Sequence, residues 1–177
     1  GDLIKTGSGI DDIAASFDSL ATKANAVPAD VLGGLNRAVE ETIANVDLMQ
    51  MASKALVAGF NPTALESVTR ATRNLAEATG TDLSQALQLV YKDLVTGQDR
   101  GLKYLGVNVD LIKGQKEFAE SLGKTAGDLT EQAKIIINNK TTLEGLLEAN
   151  KKVGDAGVDA GDKIEQMSKH LRDQINE

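Results

Sequence analysis

Apolar residues return at three- and four-residue steps along almost the whole chain, and glycine or proline cuts that rhythm at short intervals. Such periodicity gathers side chains on one face of a helix. Strand-like character is confined to Gly106-Val107-Asn108-Val109-Asp110, which is too short to found a sheet. The expected fold is therefore all-α: a compact bundle of short, glycine-terminated helices.

The stripes can be followed in order. Ile10, Ile13, Phe17, Leu20 and Ala24 form the first, with Ser8 or Asp11 as its cap. Gly1 to Gly9 is read as a loose leading segment. Pro28 suits the first turn of a second helix. Gly33 and Gly34 lie inside that helix, where each weakens it by ~1 kcal/mol relative to alanine or marks a bend. Asn36 to Ala58 reads as one helical segment through Val39, Ile43, Val46, Met49 and Leu56. Gly59 stops it, and Asn61-Pro62 begins the next. Further helices are expected from Thr63 to Thr79, from Asp82 to Thr96 behind a Thr81 cap, and from an Asp110 cap through Leu122, with a short turn from Arg100 to Leu105. Gly80, Gly97, Gly106 and Gly123 follow as stops. Thr130 to Val153 reads as a longer helix, with Ile135, Ile136, Leu143, Leu146 and Leu147 on or near its apolar side.

The organisation predicted from this pattern is a flexible segment over 1–9, a helical domain over 10–153, a Gly/Asp linker over 154–161 and an amphipathic helix over 162–177. In that last helix Ile164, Met167, Leu171 and Ile175 stand at steps of three, four and four. Such a stripe either packs back onto the domain or opens a coiled coil, and so an oligomer face, that continues past Glu177. Two heptads leave both readings open.

Composition narrows the function. Hydrophobic residues make up 41% of the chain but aromatics only 3%, so the core is built of small aliphatic side chains and is lean. The formal net charge is -7, against the excess of Lys and Arg that phosphate neutralisation needs; no specific nucleic-acid binding is expected. There is no cysteine, which removes disulfides, thiol catalysis and thiolate metal sites. No apolar stretch approaches the ~20 residues of a membrane span. The chain opens at Gly1 without a signal-peptide pattern and is expected to be a piece of something longer.

The motifs that imitate chemistry fail on inspection. Gly123-Lys124-Thr125 resembles the end of a phosphate-binding loop, but the position where the motif needs its first glycine holds Phe118. Asp155, Asp159 and Asp162 suggest calcium, yet residue 157 is Gly and residue 166 is Gln, so a flexible acidic linker is the better reading. His170 is the only histidine and has no visible partner for zinc or base chemistry. Asn139-Lys140-Thr141 matches a glycosylation sequon but falls inside a helix. No carboxylate pair is singled out. No catalytic residue, cofactor or metal is expected, and no enzymatic activity. Arg70, Arg73, Lys92, Arg100 and Lys103 enrich the middle third in bases. Ion pairing with Glu66, Glu77 and Asp93 on helix surfaces accounts for them, and contact with an acidic partner is the sharper reading.

The order of several segments carries a resemblance. The run Asp47-Leu48-Met49-Gln50-Met51-Ala52-Ser53-Lys54-Ala55-Leu56 before Gly59-Phe60 is similar to a recurring segment of phage and prophage tail tape measure proteins. So are Ala76-Glu77-Ala78-Thr79-Gly80 with Asp82-Leu83 and Ala86-Leu87, then Thr96-Gly97 leading to Leu102-Lys103-Tyr104-Leu105-Gly106-Val107. Phe118-Ala119, Ser121-Leu122-Gly123-Lys124-Thr125 and Asp128-Leu129-Thr130 complete the series, which covers Val27 to Leu147.

The resemblance implies a structural component of a phage tail. Such a protein lies in the tail lumen, sets tail length and is ejected before DNA delivery. It implies assembly in the bacterial host cytoplasm, several copies per tail, and partners among the tail tube protein, tail-tip or baseplate initiator proteins and assembly chaperones, with host envelope contact on ejection. The glycine and proline breaks depart from an uninterrupted ruler helix and point to a compact section within one. The alternative is a stand-alone helical adaptor or secretion-associated binding domain whose similarity is compositional. A parent chain several times longer, with heptads beyond Glu177, separates the two.

Overall fold

The computed structural model describes residues 7–153, and every described regular element is helical. No strand forms among these residues; Val107 to Asp110 is a connection without regular structure instead. The helical stretch expected as one domain divides into two compact units, with the boundary between Arg73 and Asn74.

In the first unit α1 (Gly7–Lys23) packs on α3 (Asn45–Val57), and α2 (Pro28–Ala38) packs on both. Their facing stripes bury Phe17, Ala21, Leu35, Leu48, Ala52 and Ala55 almost completely. Alanine at three of these positions is what lets helices of so lean a composition approach closely. Pro28 opens α2 as its missing N–H predicts. Two expectations need correction here. Helix α1 begins at Gly7, so the last residues of the segment read as loose are helical. The segment Asn36 to Ala58 is not one helix, because the chain leaves α2 at Val39 and turns through Glu40 and Glu41 at φ of 52° and 60°. Non-glycine residues pay for that left-handed region with about 1 kcal/mol each. Glu40 is held there by an ion pair of 2.6 Å to Arg73, and the Thr42 hydroxyl donates to Val39 O at 2.6 Å.

Helix α4 (Pro62–Thr79) contains the boundary between the units. Asn61 starts it as expected, its Oδ1 accepting from Thr63 N at 2.9 Å. The buried Thr72 hydroxyl is satisfied inside the helix, donating to Val68 O at 2.8 Å.

The second unit pairs α5 (Leu83–Thr96) with the short α6 (Arg100–Tyr104), and α8 (Glu131–Val153) with both α5 and α7 (Leu111–Ser121). Asp82, one residue after the expected Thr81, caps α5 through Gln85 N at 2.9 Å. Asp110 and Thr130 cap α7 and α8 by the same geometry. Gly80, Gly97, Gly106 and Gly123, with Gly59 in the first unit, all stand at positive φ, the left-handed conformation that ends a helix. Gly33 and Gly34 remain within α2.

Candidate functional site

A groove of about 640 Å³ between α7 and α8 offers room for a ligand or partner. Phe118 and Ile137 line it, both almost wholly buried. Its walls come together at two glycines. A methyl group on Gly114 would overlap the Thr141 hydroxyl, and one on Gly145 would overlap a Val109 methyl. The charged residues along it are largely engaged with one another. Lys113 lies 3.8 Å from Glu117, Lys140 pairs with Glu144, and Asp110 is occupied in capping α7. Three apolar side chains, Val109, Phe118 and Ile137, thus stand among charged and small polar ones along the groove. Among the described residues no cluster of three or more metal-ligating side chains forms.

The most heavily built polar site is elsewhere. Asp93 was expected to sit on the surface and pair with neighbouring bases. It is instead buried, with only 1% of its surface exposed. One carboxylate oxygen accepts from Arg100 N at 2.9 Å, and the other from Gly101 N at 2.7 Å and Leu102 N at 3.4 Å. These are the orphan N–H groups at the start of α6, which a helix cannot satisfy internally. Burial pushes the Asp93 pKa above the ordinary 3.8, the three backbone donors oppose that shift, and the charge of Asp99 adds to it. The signal was present in the sequence: Asp93 falls three residues after Val90 and seven after Ala86, on the buried face of α5.

The other singled-out residues separate. Gly123-Lys124-Thr125 ends α7 and begins a 3₁₀ turn, Ala126–Asp128, in which Asp128 accepts from both Thr125 N and the Thr125 hydroxyl. These hydrogen bonds hold the exposed Asp128 carboxyl below its ordinary pKa. Arg70 pairs with Glu66 at 3.2 Å and Lys103 with Asp99 at 3.5 Å, so part of the basic enrichment is local pairing. Asn139 of the sequon is buried in α8. The expected coil face, Ile164, Met167, Leu171 and Ile175, lies outside the described residues, as do His170 and the Asp155, Asp159, Asp162 group.

The two shifted carboxyls have opposite linkage signs. Asp128, with its folded pKa lowered, contributes stability that is complete above the unfolded value of 3.8 and is lost as pH falls through the folded pKa. Asp93, with its folded pKa raised, reduces stability as pH rises from 3.8 through its folded pKa, and has no such effect below that window. A carboxyl-detected NMR titration should place the Asp128 midpoint below 3.8 and the Asp93 midpoint above it. A coincident pair of midpoints would contradict both environments.

Comparison with known proteins returns no matching family model, no matching curated protein and no matching solved structure.

Proposed function

We propose that this chain is a folded helical section of a phage tail tape measure protein, part of the ruler that sets tail length and leaves the tail before DNA delivery. The observation that carries the reading is where the resembling segments fall. Leu48, Met49, Ala52, Ala55 and Leu56 of the first run are the buried face of α3. Gly80, Gly97, Gly106 and Gly123 in the later runs are helix ends, and Ala86, Leu87, Leu102, Leu105, Phe118 and Ala119 are core. The likeness therefore sits on residues that determine the fold, not on a set of reactive groups. That is the pattern of a protein selected for its shape and contacts. On this reading the chain is not an enzyme and requires no cofactor. Its partners are the tail tube, the tail-tip or baseplate initiator and assembly chaperones, with further copies of itself in the tail lumen.

In-frame deletion of residues 7–153 in the phage tests the proposal. As uninterrupted helix this stretch would span roughly 220 Å at about 1.5 Å per residue. Because it is folded into short helices, electron microscopy should find tails shortened by well under that length, and DNA delivery should fall. Tails of unchanged length with normal delivery would sink the proposal.

A further inference from the structure

The α7–α8 groove opens close to the point where α8 ends. Its α8 wall runs from Ile137 to Glu148, and the helix stops at Val153. At ~1.5 Å per residue the whole wall lies within about 24 Å of that stop. Acids outnumber bases along the groove: Asp110, Glu117, Glu144 and Glu148 against Lys113 and Lys140. Both lysines are already paired, with Glu117 and Glu144. Glu148 is exposed and forms no ion pair among the described residues. The end of the groove nearest Val153 therefore carries a negative charge without a partner, beside apolar surface from Phe118 and Ile137.

The sequence after Val153 has the reach and the chemistry for this groove. Residues 154–161 contain three glycines, and a stretch of that length extends to about 28 Å, so residue 162 can be set down anywhere along the α8 wall. Ile164, Met167, Leu171 and Ile175 then repeat at helical steps. At the same spacing Lys163 and Arg172 fall on either side of that stripe, and Asp162 and Asp173 fall opposite it. As helix, residues 162–177 would be about 24 Å long, enough to cover the wall. A short flexible tether also holds its end at an effective concentration on the order of mM, which a separate copy of the chain does not reach in dilute solution.

We infer that the α7–α8 groove is the docking site of this chain's own segment 162–177, which turns back along α8, lays its apolar stripe over Phe118 and Ile137 and brings Lys163 to Glu148. The segment lies outside the described residues; the inference rests on the groove, the tether length and the charge pattern, and stands apart from the tail reading.

Paramagnetic NMR on the full chain tests it. The sequence has no cysteine, so Gln166→Cys gives a single attachment point for a nitroxide, on the side away from the stripe. In the 15N-labelled chain the amides of Gly114, Phe118, Thr141 and Gly145 should lose most of their peak height and regain it when the nitroxide is reduced. Tenfold dilution should leave that loss unchanged. Adding Leu171→Asp, which breaks the stripe, should abolish the loss, and Glu148→Lys should weaken it. Both changes fall on positions outside the described core, so the helical domain keeps its fold. A mixture of nitroxide-bearing unlabelled chain with 15N-labelled cysteine-free chain should show no loss. Equal loss in that mixture would overturn the inference, since the segment would then belong to a second copy. So would full peak heights in both samples, or a loss that Leu171→Asp does not change.

Discussion

Asp93→Ala should lower the stability of the second unit by about 2 kcal/mol, the net of buried N–H groups left without an acceptor and of a charge no longer held out of water. Arg100, Gly101 and Leu102 would all lose their side-chain acceptor at once. Asp93→Asn should lose about 1 kcal/mol, since the amide keeps one acceptor oxygen but turns N–H against N–H at the other position. Urea unfolding read by tyrosine fluorescence suits the measurement. The chain has two tyrosines and no tryptophan, and both Tyr91 and Tyr104 belong to the α5–α6 pair. Alanine and asparagine variants indistinguishable from the parent would mean that α6 docks without its carboxylate.

Gly101→Ala should cost about 3 kcal/mol, at the upper end of what overpacking does, because the obstruction is main chain. A methyl group there would lie 2.5 Å from Val90 N, 2.7 Å from Val90 Cα and 2.8 Å from Leu89 C. No rotamer change relieves that overlap, so α6 must move away from α5 and draw the Gly101 N–H off Asp93. The two substitutions therefore act on one junction, and the double variant should lose less than the sum of the singles. Gly34→Ala is the internal comparison. Its obstacle is the Glu66 carboxylate 2.6 Å away, the far end of a side chain that can swing, and alanine returns about 1 kcal/mol of helix propensity. A large loss at Gly34 with a small one at Gly101 would reverse the account.

The sequence revealed helix ends more readily than helix contacts. Proline at 28 and 62 and glycine at 59, 80, 97, 106 and 123 act through backbone conformation, which depends on the residue itself, and the structure uses each as punctuation. The break after Ala38 was hidden because Glu40 and Glu41 bear no turn signature; Arg73, distant in sequence, holds Glu40 in place. Asp93 was misread because a charged residue beside Lys92 looks solvated until its periodicity is given more weight than its charge. The α7–α8 groove could not be foreseen, since it depends on Gly114 of α7 meeting Thr141 of α8, and Gly145 of α8 meeting Val109 in the connection before α7. All-helical architecture followed from the period alone.

Thr72 and Asn74 lie two residues apart on α4 and impose different histories on their surroundings. The Thr72 hydroxyl returns to its own helix, so neighbouring side chains face a demand for volume only, and they are free to drift among aliphatic residues of similar size. Asn74 is joined to Asn150 across 76 positions of sequence, and a change at either strands an amide on the other. In related chains those two positions should vary as a pair, while the positions around Thr72 vary one at a time.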